Sequence, residues 1–332
     1  MKITNNELSD VLKILDDIIE YYKEQSPEKK RDWKTYEQRY ADRIKTLNRE
    51  LGELIKESVK SIEVVKGETR GAKPKLNLEQ KVTLLLLKHL FGKGNRMMAG
   101  MVAIFSLLTG IDISYKSVER LYSDQLVVLA LHNLHILILR KKGIEEVDTG
   151  GDGTGYTLTI KEHYASIAQK LKDKTSTKNK KYIFSFALMD VVTRLYVSYG
   201  TSYRSEREAY DQARIMAAKS GVTIRSIRLD KYFSQQQSVR EMKAAFPGVS
   251  ISLIPKSNAT IKGPWEWKRM LSDFVTDPIG YLEDYYQRNQ SESGFAEDKK
   301  RTGWRIMQQR PDRVNTADFL NKLWHNLFWL AD

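Results

Sequence analysis

The order in which the hydrophobic period changes between residues 145 and 254 limits this chain more than any other feature. Residues 181–189, 194–199, 223–229 and 249–254 are short runs rich in β-branched and aromatic side chains, and they read as strands. Residues 206–219 and 235–246 place apolar side chains at helical spacing between them. A further strand edge at 145–156 runs into Thr149-Gly-Gly-Asp-Gly-Thr-Gly-Tyr156, whose glycines read as a turn. Asp277-Pro278 then supplies an N-cap and a proline for the first position of another helix. The order is strand, strand, strand, helix, strand, helix, strand, helix. It predicts a mixed sheet with a hairpin, flanked by helices, with a site near the carboxyl ends of the parallel strands.

The chain before this point is helical in pattern. Residues 4–62 place Leu8, Val11, Leu12, Leu15, Ile18, Ile19 and Tyr22 three or four apart, break at Ser26-Pro27, and resume through Tyr36, Tyr40, Ile44, Leu47, Leu51, Leu54, Ile55 and Ile62. An apolar stripe on a charged helix must be covered, so an antiparallel helical pair, a dimerising coiled coil or an ordinary bundle is expected. Residues 65–76 include Lys66-Gly-Glu-Thr-Arg-Gly-Ala-Lys-Pro-Lys75 and read as a basic linker. Three short helical patterns follow at 78–91, at 97–108 and after Ser114 as N-cap, the last with Val118, Leu121 and Tyr122 facing inward. With Gly110 in the turn before the last, they fit a helix-turn-helix in which Tyr115, Lys116, Ser117 and Arg120 would enter a major groove. An apolar connector helix spans 127–140. Its His132 and His135, like His89, are assigned to packing. The expected organisation is therefore a helical segment 1–64, the linker 65–76, a helix-turn-helix region with connector 77–142, and a sheet domain 143–332.

Charge narrows the partners. Against 42 acidic residues stand 55 basic ones, a formal charge of +13, which points to a polyanion. The longest apolar runs, 84–87 and 126–131, are far too short for a membrane span, so nucleic acid is expected rather than a lipid surface, in a soluble cytoplasmic protein. The chain has no cysteine, which excludes disulfides, thiolate nucleophiles and thiolate metal sites. Lys170, Lys172, Lys174, Lys178, Lys180 and Lys181 crowd around Asp173 alone, suiting phosphate contact, although such runs are ordinarily solvated. Trp265 and Trp267, in Gly-Pro-Trp-Glu-Trp-Lys-Arg269, are placed to stack on an unpaired base or to enter the core.

One later stretch concentrates chemistry. On a single helix, Arg288, Glu292 and Lys299 would fall at roughly 300°, 340° and 320° from Tyr285, so one stripe carries all four. Gly294 interrupts it, and a bend is expected there because glycine weakens a helix by about 1 kcal/mol relative to alanine. The spacing Tyr-x2-Arg-x3-Glu-x6-Lys resembles a signature of the DDE transposases of prokaryotic insertion sequences. Asp152 in Asp-Gly-Thr-Gly-Tyr156 is similar to the segment around that family's first catalytic aspartate, with Asp148 the alternative. Asp230, ending the fourth strand, lies where the second is found, with helix capping as its other reading.

The resemblance implies a ribonuclease H-like catalytic domain in which Asp152, Asp230 and Glu292 bind two Mg²⁺ or Mn²⁺ ions, while Tyr285, Arg288 and Lys299 contact the transposon end. It also implies double-stranded DNA as partner, both as transposon ends and as target, and a homodimer when two ends are paired. The activity implied is hydrolysis at the terminal repeats followed by strand transfer. The alternatives are a non-catalytic DNA-binding relative and a structure-selective nuclease of the same fold.

Overall fold

The structure, a computed structural model, describes residues 3–25, 32–62, 75–92, 94–109, 113–158 and 182–330. Its second half is built on a mixed sheet of β1 (Glu146–Leu158), β2 (Tyr182–Asp190), β3 (Tyr196–Ser202), β4 (Thr223–Leu229) and β5 (Ser250–Leu253), in the order β3-β2-β1-β4-β5. The short β6 (Arg305–Ile306) pairs with the far end of β1. β1, β2 and β3 run antiparallel, whereas β4 and β5 run parallel to β1. Local chemistry explains the difference. Asp190 turns the chain back on itself by accepting hydrogen bonds from the Thr193 backbone N–H (2.8 Å) and hydroxyl (2.7 Å). The parallel strands are instead reached through α8 (Glu206–Lys219) and α9 (Gln236–Ala245), as crossovers demand. The strand order expected from the sequence is present, and with its flanking helices it gives a ribonuclease H-like arrangement.

Two sequence expectations need correction. The glycine-rich stretch is no turn: β1 continues through it, and Asp152 sits in mid-strand opposite Ala187. The glycines serve close approach instead of turning. A Cβ on Gly150 would lie 2.8 Å from the Arg288 Cα, and one on Gly153 would lie 2.3 Å from the Glu206 carboxylate. Because side chains alternate along a strand, Gly150, Asp152 and Thr154 face one side of the sheet and Gly153 the other.

The second correction concerns the charged stripe, which lies on two helices, α11 (Pro278–Tyr286) and α12 (Asn289–Thr302). Asp277 caps α11 by accepting from the Gly280 N–H at 3.0 Å, with Pro278 in its first turn, as expected. The break comes at Gln287–Arg288, where the N–H groups of Arg288 and Ser291 bond to carbonyls three residues back, tightening the chain. Gly294 lies inside α12. A Cβ there would approach Met189 Cε at 2.4 Å and Tyr196 Oη at 2.8 Å, so its absence lets the helix pack closely on the sheet.

The N-terminal helices are α1 (Asn5–Lys13), α2 (Leu15–Gln25) and α3 (Trp33–Lys60); Ser26-Pro27 and most of the basic linker lie outside the described residues. Much of their apolar stripe is covered by other helices of the same chain. Leu47, Leu54 and Ile55 are buried on α3, which packs on α4 (Leu78–Leu90) and α7 (Gln125–Lys141). Tyr22 of α2 stacks on Tyr286 of α11 at 5.1 Å, and Asn5 of α1 accepts from the Ile261 N–H at 3.0 Å.

The three-helix segment also forms: α4, α5 (Asn95–Thr109) and α6 (Tyr115–Arg120), with Ser114 capping α6 and Val118, Leu121 and Tyr122 buried. His89 bonds to Asn321 Oδ1 (2.7 Å), His132 stacks on Phe319 and His135 bonds to the Val197 carbonyl (3.1 Å), all packing roles. The last helix, α13 (Pro311–Trp329), is buried along almost its whole length against the sheet and α3, α4, α7 and α12. No single helix among the described residues is long and apolar enough to cross a membrane.

Candidate active site

Three elements deliver the carboxylates singled out from the sequence. Asp152 projects from the middle of β1 toward α12. Asp230 follows the last residue of β4 and accepts from the Tyr232 N–H at 2.8 Å, so it also caps the short 3₁₀ turn Lys231–Phe233. Glu292 lies in the first turn of α12. Arg288, at the junction before that helix, faces all three: its Nη2 is 3.0 Å from Glu292 Oε1 and 3.6 Å from Asp230 Oδ2, and its Nη1 is 3.7 Å from Asp152 Oδ1. Among the described residues no three acidic or histidine side chains lie close enough to hold a metal ion as they stand. The carboxylates instead face one guanidinium.

The site is closed at its base and open on one side. The Asp152 side chain is 19% exposed, against 44% for Asp230 and 51% for Glu292. Burial pushes the Asp152 carboxyl up to about 6 against the pull of Arg288, and the charges of Glu292 and Glu206 add to the rise. Asp148, the alternative first carboxylate, is engaged elsewhere: Ser226 Oγ (2.6 Å) and Arg225 Nη2 (2.5 Å) donate to it, and despite partial burial these bonds hold its carboxyl below the usual range.

Packing fixes this geometry from beneath. The Arg228 guanidinium is buried under β4, donating to the Asp284 carbonyl at 2.8 Å and to the Asp284 carboxylate, and Ser252 Oγ donates to the same carboxylate at 2.7 Å. These contacts pin the end of α11 to β4 and β5 and so place Arg288. Ser291 Oγ donates to the Gly150 carbonyl at 2.9 Å, and Lys299 Nζ to Thr154 Oγ1 at 2.6 Å, which lays α12 along β1. Tyr285 is 4% exposed, and its ring lies 5.4 Å from the Arg288 guanidinium. It supports that guanidinium instead of offering a free ring to a nucleotide.

Sequence reasoning missed Glu206. As the first residue of α8 it lies over Gly153 on the other face of β1. Burial raises its carboxyl, and the Asp230 charge raises it further. Its only trace in the sequence is the missing side chain at Gly153.

The remaining expected residues are dispersed. Lys116 and Arg120 are exposed and Ser117 half-buried on α6, and Ser117 and Arg120 line a cleft of about 480 Å³ with Lys75 and Lys81. Trp265 is 69% exposed beside Lys268 and Arg269, in a groove of about 900 Å³. Trp267, which like Trp265 lies on α10 (Trp265–Thr276), is buried and donates from its indole to the Thr260 carbonyl at 2.8 Å, so it is a core residue and does not suit base stacking. Lys178, Lys180 and Lys181 lie outside the described residues.

A comparison with known proteins decides the family. The probable transposase for insertion sequence element ISA1214 of Archaeoglobus fulgidus is 38% identical to this chain over 329 residues, covering 98% of this chain and 97% of that protein. The chain belongs to the insertion-sequence transposases. No family model matches it, and no solved structure does. In this transposase the aligned length takes in both the helical first half and the sheet, so the match extends well beyond the stretch around Glu292.

Proposed function

We propose that this transposase is of the DDE type: that it binds the terminal inverted repeats of its element, hydrolyses the phosphodiester at each end, and transfers the 3′-hydroxyl ends to target DNA. The observation that carries this reading is the convergence of Asp152, Asp230 and Glu292, from three separate elements, on one cationic group. Such a set fits divalent metal. The donors are hard carboxylate oxygens with no thiolate in the chain, which suits Mg²⁺ or Mn²⁺, and the point they face already holds a positive charge. Asp152, Asp230 and Glu292 would hold two ions. When bound, the ions would activate the attacking oxygen and stabilise the leaving one.

The other residues have roles of their own. Arg288 and Lys299 would grip phosphates flanking the scissile bond, Arg288 with a fork matched to phosphate oxygens. Lys116, Ser117 and Arg120 on α6 would read a major groove, and Trp265 would stack on a base. Pairing two ends would require a homodimer, acting on DNA in the prokaryotic cytoplasm.

With Mg²⁺ or Mn²⁺, the purified protein is expected to nick a duplex carrying the terminal repeats and to join precut 3′ ends to a second duplex. Glu292→Gln is expected to bind the repeats as wild type does while losing at least about a hundredfold in cleavage, the scale on which loss of one electrostatic catalytic group is felt. Undiminished metal-dependent cleavage in that variant would remove Glu292 from the site. Cleavage without joining would indicate a nuclease, and binding without either would indicate a non-catalytic relative.

A further inference from the structure

We propose that Arg288 is a built-in counter-cation for the carboxylate set, so that divalent metal enters only after DNA has drawn the guanidinium out. The inference rests on the reading above and adds the order in which DNA and metal bind. Its first support is geometric. One guanidinium contacts Asp152, Asp230 and Glu292 at 3.0 to 3.7 Å, and it does so at the place where no three carboxylates are close enough to hold an ion themselves. A metal ion and this guanidinium would need the same oxygens, and each would repel the other. Occupancy by one therefore excludes the other.

The second support is what the guanidinium lacks. The Arg288 side chain is only 11% exposed, yet its Nε and Nη1 have no hydrogen-bond acceptor. Buried donors without acceptors are costly, and a phosphate oxygen would satisfy them as a charge-assisted pair. Without it the carboxylates repel one another, with Glu206 nearby as a fourth negative charge, so its departure leaves a site that a dication neutralises better than one guanidinium did. Removing Arg288 strengthens their field for a dication. Phosphate and metal thus act together: phosphate takes the guanidinium, and metal takes the carboxylates. Coupling of this kind is reciprocal, so metal must also strengthen binding of DNA.

The position of Arg288 suits such movement. It stands at the α11–α12 junction, and its long side chain rests on the Tyr285 ring, so it can swing toward the open side where Glu292 is half exposed without disturbing the carboxylates.

Binding of Mn²⁺ to the full chain, followed by electron paramagnetic resonance of the free ion, tests this without reference to activity. Wild type alone is expected to bind Mn²⁺ weakly, and at least about tenfold more tightly with a duplex cut from the end of its own element, within the range usual for coupled sites. Arg288→Met is expected to bind about tenfold more tightly than wild type without DNA, and the duplex should add little. If the methionine variant does not fold, Arg288→Lys serves, because one ammonium cannot reach three carboxylates and should release the site in part. Equal Mn²⁺ affinity in wild type and a folded variant, both without DNA, overturns the counter-cation role. Failure of every protein to bind Mn²⁺, with or without the duplex, would instead overturn the metal site itself.

Discussion

Asp152 shows what the site costs the fold. Its carboxyl is raised from an ordinary value of 3.8 to about 6, chiefly because it is buried. A carboxyl raised on folding adds stability below its unfolded value, and that contribution is lost as pH rises through the folded value. Here the window runs from about 4 to about 6, and the full loss is of order 3 kcal/mol, at 1.36 kcal/mol per unit. Asp152→Asn keeps the shape and removes the titration. In metal-free protein it is expected to match wild type below pH 4 and to be up to about 3 kcal/mol more stable above pH 7. Urea unfolding at the two pH values checks this, and a wild type that gains stability over asparagine as pH rises would contradict it. At this scale the sequence was informative about identity more than surroundings. Motif and spacing singled out Asp152, Asp230 and Glu292, which the fold brings to face one guanidinium, but they gave no sign of Glu206, because the contact that defines its position is with a backbone distant in sequence.

The element that decides the site is the junction of α11 and α12. The stripe from Tyr285 to Lys299 was legible because helical period survives a change of axis; the break was not, because Gln287 and Arg288 keep helical dihedrals and carry no glycine or proline to mark it. The glycines of β1 misled for a related reason. Glycine most often signals a turn, and only the packed partner shows that Gly150 is present to admit the Arg288 backbone. That partner gives a test. In Gly150→Ala the new Cβ would lie 2.8 Å from the Arg288 Cα, a backbone atom that cannot rotate away. Overpacking of this kind costs about 1–3 kcal/mol, whereas alanine recovers only about 0.5–1 kcal/mol of propensity. The substitution is therefore expected to destabilise by about 1–2 kcal/mol net and to reduce Mn²⁺-dependent nicking far more than stability. Full nicking at a lowered melting temperature would show that the junction can move without harm to the site.

Across the whole molecule, α13 joins the two halves. It touches the sheet on one side and α3, α4 and α7 on the other, which is why the N-terminal stripe finds its cover within the chain; the stripe announced a need for cover but not its source. His325 of this helix bridges Asp298 Oδ1 (3.0 Å) and the Arg194 carbonyl (2.9 Å), tying α12 to the β2–β3 turn. Deeper still, Lys322 donates to Asp318 Oδ1 and Ser185 Oγ, both at 2.7 Å, and Thr201 Oγ1 donates to the other Asp318 oxygen at 2.7 Å. Both charged side chains are almost wholly buried. Burying such a pair costs desolvation that its attraction repays only while both partners remain, so losing one partner costs about 3–5 kcal/mol while replacing both with apolar groups is often neutral. Asp318→Ala is accordingly expected to lose about 3–5 kcal/mol, a large share of the roughly 5–15 kcal/mol typical of a folded protein. Asp318→Leu combined with Lys322→Met should recover most of that loss. Urea unfolding of both variants, with unchanged denaturant slopes, separates the cases. A single variant that loses less than about 1 kcal/mol would mean that water reaches Lys322 and that the pair is not the dry one its burial implies.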